Sequence, residues 1–196
     1  YLRDGNSHGS FAYNKNEDTT YGIHSREQYG SSSDTTRIVH SLFQHTGDAV
    51  RVEYSRRTLL IEDNTIKNIS SWGIYIRHSW GDDISIIERN ILEQTYCGIH
   101  LQYGGIGTVS ENIISGTNQS CTGIKIHYIN ELIVDGNIVQ NFSTGMDIND
   151  GENYGVSSYE IFNNEFTNNY YGANITYSNA NIENNTISDN TYDGIY

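Results

Sequence analysis

A glycine followed by alternating apolar residues recurs along this chain at a nearly constant interval. It reads GIYI at Gly73, GIHL at Gly98, GIKI at Gly123, GMDI at Gly145, GANI at Gly172 and GIY at Gly194, spaced 22 to 27 residues apart. A second motif keeps step with it, an asparagine with an apolar residue two places on, at Asn64, Asn90, Asn112, Asn137, Asn164 and Asn185. Short apolar stretches such as LLIED, ISIIER, LIVDG and YEIFN precede most of these asparagines. An apolar spacing of two marks strands, and the period is too short for a pair of packed helices. Each repeat is therefore expected to hold three short strands joined by turns. One such unit cannot bury its apolar face alone. Stacking about seven or eight of them does, because each strand then pairs in parallel with its equivalent on the next coil.

Composition agrees with strands and turns. The 196 residues include 19 glycines and 16 tyrosines but no proline, and suit one domain with a sizeable core. A net charge of −13 disfavours nucleic acid as a partner. No apolar run approaches the roughly 18 residues of a membrane span. The chain opens on Tyr1 and stops within a repeat at GIY, so it is read as a piece of a longer protein.

The repeat resembles the right-handed parallel β-helix of pectate lyases and related proteins, from about Arg37 to Tyr196. The expected fold is thus all-β, a solenoid of three short strands per coil. Residues 1–196 form a single domain, with 1–36 a less regular coil and loops and 37–196 the regular coils. YGIHS at Tyr21 reads as one more first strand, and AYNKNEDTT as a loop or loose edge. The repeat asparagines are expected at sharp turns, where their tolerance of left-handed backbone is useful and their amides can bond up the stack. The repeat glycines are read as structural.

In the first strand of each coil the residues between the apolar ones point outward. Aligning the coils gives a first outward column of His24, Arg51, Tyr75, His100, Lys125, Asp147, Asn174 and Tyr196. A second column holds Arg26, Glu53, Arg77, Gln102, His127, Asn149 and Thr176. Coils about 4.8 Å apart would bring these side chains together. Cations gather on this strip of an acidic chain. Such a face also suits plain solvation, with cross-strand pairs such as Glu53 and Arg77. Tyr54, Tyr103, Tyr128 and Tyr177 follow the first strand, and Trp72, Tyr96, Tyr171 and Tyr192 precede it. Such rings pack sugars, or cap turns.

The resemblance implies a substrate groove along this sheet. Glycoside hydrolysis needs two carboxylates roughly 5–9.5 Å apart. Glu53 and Asp147, four coils apart, are too distant. Asp82 with Asp83, or Asp147 with Asp150, offers weaker pairs. Lyase or epimerase chemistry on a uronic acid fits better. Lys125, His100 or His127 would be the base, Arg77 a carboxylate clamp and Tyr75 a proton donor. Arg51, Gln102, Asp147, Asn149, Tyr103 and Tyr128 would bind substrate. No metal ligand set is assigned. Calcium is the cofactor the resemblance leaves open. The longer lyase signatures and the epimerase DPH motif are absent.

The expectation is an extracellular or cell-surface protein directed at a polysaccharide, with an acidic sugar favoured by the cationic strip. It either binds carbohydrate or acts as a lyase or epimerase. The alternative is a non-catalytic adhesin, tail-spike or surface-layer β-helix. Cys97 and Cys121 lie one coil apart, and are read as stacked free thiols in preference to a disulfide.

Overall fold

The computed structural model describes residues 2–3, 10–26, 35–78, 83–117, 121–149, 158–176, 179–192 and 194–195. Asp82, Asp150, Tyr177 and Tyr196 lie outside them. The described chain contains strands and turns, and every strand pairing is parallel. Three sheets wrap one core. Sheet A holds Tyr21–Arg26, Asp48–Ser55, Thr144–Asn149 and Tyr171–Thr176, with segments of three longer strands between them. Those longer strands are Thr65–His78, Ile91–Ser110 and Thr122–Asp135, and they turn the corners without losing strand pairing. Sheet B includes Thr35–Val39, Thr58–Glu62, Ile84–Glu88 and Ser158–Phe162. Sheet C includes Leu42–Gln44, Ile113–Gly116, Ile138–Gln140 and Glu165–Thr167.

The period-two pattern sets what each strand buries. In sheet A, Val50, Ile74, Ile99, Ile124 and Met146 form one inward column, and Val52, Ile76, Leu101, Ile126 and Ile148 form the next. All ten are fully buried. Each such side chain contributes roughly 1.5–3 kcal/mol by leaving water. No coil could do this alone, because each column is completed by its neighbours.

The asparagines form a ladder at the corner between sheets B and C. Asn64, Asn90, Asn112, Asn137 and Asn164 each donate their amide to the Oδ1 of the next asparagine, at 2.9–3.0 Å. Ser41 fills the preceding rung, its N–H donating to Asn64 Oδ1 at 3.0 Å. The left-handed residue is not the asparagine, as expected from sequence, but the one before it: His40, Asp63, Arg89, Glu111, Gly136, Asn163 and Asn184. A buried carboxamide that holds backbone above and below fixes the corner. Its neighbour absorbs the strained φ, where even Arg89 and Glu111 are tolerated. A second, shorter ladder lies at the corner leading into sheet A. There Asn169 Oδ1 accepts the Phe142 N–H and Asn190 Oδ1 accepts the Asn169 N–H.

The repeat glycines are structural for a steric reason. A Cβ on Gly145 would sit 2.5 Å from the Gly172 carbonyl oxygen, so the coils could not close to strand-pairing distance.

The N-terminal region is more regular than its sequence suggests. Ser10–Ala12, Lys15–Glu17 and Tyr21–Arg26 supply one strand to each sheet. AYNKNEDTT therefore contains a sheet C strand, paired with Leu42–Gln44. Three polar residues at an edge carry too little alternation for this to be read from sequence.

The cysteine expectation is corrected. Cys97 and Cys121 form a disulfide, with Cα atoms 5.2 Å apart. Parallel stacking brings residues one coil apart within bridging distance. The bridge staples two coils at the edge where the chain enters sheet A.

Candidate functional site

The outward face of sheet A carries the two columns in the expected order. His24, Arg51, Tyr75, His100, Lys125, Asp147 and Asn174 are consecutive rungs. So are Arg26, Glu53, Arg77, Gln102, His127, Asn149 and Thr176. The candidate residues are thus brought together on one face, but their side chains are committed in ways the register alone does not reveal.

Arg51 pairs with Asp48 and Glu53, both at 2.9 Å, and lies 4.3 Å from the centre of the Tyr75 ring. Burial opposes its charge, yet hydrogen bonds to Glu53 and Asp48 prevail and hold it more firmly protonated than usual. Burial likewise works against the Glu53 charge. The bonds from Arg51 and His24 outweigh it and hold the carboxyl below the usual range. Glu53 therefore pairs along its own strand and with His24, not across to Arg77. Tyr75 is half-buried, and burial raises its pKa despite the opposing fields of Arg51 and Arg77.

Arg77 takes a different place. Its guanidinium lies 5.0 Å from the Tyr54 ring centre and 5.4 Å from that of Tyr103. Tyr54, Tyr103 and Tyr128 occupy left-handed positions where the chain leaves sheet A. Tyr103 and Tyr128 stack at 5.1 Å and 6°. Arg77 fills the gap in that column, so it holds an aromatic edge together by cation–π contact. Its Nε has no hydrogen-bond partner among the described residues.

His100 is only 8 % exposed, covered by Trp72 at 4.9 Å, Tyr75 at 5.2 Å and His127 at 5.4 Å between ring centres. Neither ring nitrogen has a hydrogen-bond partner among the described residues. Burial first, then His127, Lys125 and Arg51, pushes its pKa down to about 3. His127 is lowered too, by burial and Lys125, with Asp147 opposing. Both imidazoles are neutral at pH 7. Lys125 Nζ lies 3.9 Å from Asp147 Oδ2, and Asn174 donates to the other Asp147 oxygen at 2.8 Å. Gln102 is half-buried on the same patch, and Asn149 is exposed.

Trp72 and Tyr96 border this face on the entering side, and Tyr103 and Tyr128 on the leaving side. Tyr170, Tyr171 and Tyr192 cluster further along the entering edge, with ring centres 4.5–5.8 Å apart. Among the described residues, no group of three or more His, Cys, Asp or Glu comes together to hold a metal.

A polar cluster inside the solenoid escapes sequence reading. His78 Nε2 lies 2.7 Å from Ser85 Oγ, its Nδ1 lies 3.6 Å from Asp83, and Arg57 is fully buried. The register slips between Glu53 and Ser55 where Asp48–Ser55 pairs with Thr65–His78, which turns His78 inward. Burial lowers its pKa to about 4 against a bond to the Ser55 carbonyl. Ser85 is fully covered, so this group braces the corner and meets no substrate.

A stack of parallel coils, with a glycine at most entries to sheet A and an asparagine at most corners between sheets B and C, defines a parallel β-helix protein. The family model described as "Right handed beta helix region" matches residues 21–181, about six turns of the chain. The protein belongs to this right-handed β-helix family. Comparison with curated proteins and with solved structures gave no match.

Proposed function

We propose that this is a polysaccharide-directed β-helix protein whose sheet A face binds a glycan, and that the glycan is uncharged. The supporting observation is how the face divides its polar groups. Two of its cations are ion-paired, Arg51 by Asp48 and Glu53 and Lys125 by Asp147, and Arg77 is packed between Tyr54 and Tyr103. The groups left to meet a ligand are neutral, namely Gln102 and His127, with the His100 nitrogens covered beneath them. Aromatic rings lie on both edges. Rings for stacking, with neutral donors and acceptors between them, suit the CH faces and hydroxyls of a sugar chain. The overall charge of −13 opposes a polyanion. A disulfide fits an oxidising compartment, which favours an extracellular or cell-surface location. No described helix is long and apolar enough to cross a membrane.

A second reading is uronate lyase or epimerase chemistry, favoured by the placement of Lys125 beside His100 and His127. One panel separates the two. The protein is tested for retention on neutral polysaccharides and on alginate, pectate and glycosaminoglycans. Absorbance near 235 nm is followed with and without calcium. Retention by a neutral glycan that survives added salt, with flat absorbance, supports binding. A rise that Lys125→Ala abolishes would establish the lyase reading instead.

A further inference from the structure

A continuous path of ring contacts crosses sheet A. Trp72 lies 4.9 Å from His100, and His100 lies 5.4 Å from His127, between ring centres. His127 lies 6.2 Å from Tyr128, which stacks on Tyr103 at 5.1 Å. Tyr75 joins from the side, 5.2 Å from His100. His100 lies underneath, whereas Trp72, Tyr75, His127, Tyr128 and Tyr103 are half-buried and keep part of each ring open to solvent. The path starts at the edge where the chain enters the sheet and ends where it leaves. Cys97 is the rung partner of Trp72, and Tyr103 lies on the same strand as Cys97, about 20 Å away at ~3.3 Å per residue. Both ends are held. Cys97 is bridged to Cys121, the Trp72 backbone N–H donates to Asp48 Oδ1 at 3.0 Å, and Tyr103 and Tyr128 occupy left-handed turns.

Ion pairs border this path on both sides. In the column that holds His100, the earlier rungs are Tyr75 and Arg51, and the later ones are Lys125 and Asp147. Arg51 bonds Asp48 and Glu53, and Lys125 lies beside Asp147. Arg77 reaches the path at its leaving end, packed against Tyr103. A chain laid along the coil axis would cover both sets of charges and strip water from them, which is costly when the ligand is uncharged. A chain laid along the strands meets rings from one edge to the other and leaves both sets in water. We infer that the glycan crosses sheet A along the strands, perpendicular to the coil axis, and that Trp72 is the stacking platform for its entering end. This rests on the uncharged-glycan reading above and adds to it a direction and a specificity-determining residue. A segment that reaches from Trp72 to Tyr103 uses every ring of the path.

Affinity electrophoresis in galactomannan, xylan and β-glucan gels tests this with variants along the entering edge. Trp72→Ala raises the apparent Kd at least ~5-fold, although Trp72 lies across the sheet from Tyr103 and Tyr128, and Trp72→Phe stays within ~2-fold of wild type. Tyr21→Ala and Tyr171→Ala remove exposed rings from the same edge beyond the two ion-paired borders, and each stays within ~2-fold. Circular dichroism verifies that each variant is folded. A second readout keeps Trp72 in place: Trp80→Phe leaves it the sole tryptophan, and its emission shifts to the blue as the retarding polysaccharide is added. Unchanged retention in Trp72→Ala, or unchanged Trp72 emission, overturns the crossing while the glycan reading stands on the loss in Tyr103→Ala/Tyr128→Ala. A loss in Tyr171→Ala as large as that in Trp72→Ala would mean an axial path and overturns it as well. A wild type that none of these gels retards overturns the glycan reading, and this inference with it.

Discussion

Asn112 Oδ1 accepts two hydrogen bonds from Asn90, one from its backbone N–H at 2.9 Å and one from its side-chain amide at 3.0 Å. Asn112 in turn donates to the Ile87 carbonyl and to Asn137 Oδ1. All of these groups are buried, so removing the carboxamide leaves several polar atoms unpaired at about 1–3 kcal/mol each. Asn112→Ala should lower unfolding free energy by about 3 kcal/mol or more in urea titration. A loss under ~1 kcal/mol would mean that the ladder decorates the corner without fixing it.

The buried histidines make the fold sensitive to acid. His78 and His100 titrate at about 4 and about 3 in the folded protein, against an ordinary value of 6.5. Between those values the unfolded chain binds more protons, so stability is full above pH 6.5 and falls as pH drops toward 4 and then 3. The unfolding midpoint should fall through this window. His100→Phe keeps a ring against Trp72 and Tyr75 and has no nitrogens to satisfy, so its decline should be shallower. Equal slopes for wild type and variant would place His100 outside the acid response.

The disulfide closes a separation of 24 residues. Restricting an unfolded loop of that size contributes about 3 kcal/mol. Thermal unfolding with and without reductant should show this loss in wild type, and Cys97→Ser/Cys121→Ser should show no reductant effect. A wild-type midpoint that ignores reductant would contradict the bridge.

Arg77 links two tyrosines and has no acidic partner among the described residues, so its packing matters more than its charge pairing. Arg77→Ala should destabilise by about 1–2 kcal/mol through the lost cation–π contacts. It should also weaken glycan retention by disordering Tyr103. Unchanged stability and retention would show that the aromatic edge holds without it.

The sequence revealed period and register well, and side-chain commitment poorly. Both outward columns could be aligned because a period of two leaves each residue only two directions, and the glycine of each repeat fixes the phase. What Arg77 touches depends on the backbone turn that places Tyr54 and Tyr103 above and below it. Glu53 could pair along the strand or with either neighbouring coil, and only geometry selects Arg51 and His24 over Arg77. The one-coil spacing of Cys97 and Cys121 made a bridge feasible without requiring it. His78 was unreadable because a local register slip turns it inward. Lys15–Glu17 was missed because its three polar residues show no apolar alternation, and its pairing with Leu42–Gln44 is what defines it as a strand.

Affinity electrophoresis of wild type and Tyr103→Ala/Tyr128→Ala through gels of neutral and uronate polysaccharides tests the central claim most directly. The stacked pair Tyr103 and Tyr128 forms one edge of the proposed glycan face. Retardation of wild type by a neutral polysaccharide, lost in the folded double variant, is the predicted result. Retardation by uronates alone, or a double variant retarded as strongly as wild type, would contradict an uncharged-glycan site on sheet A.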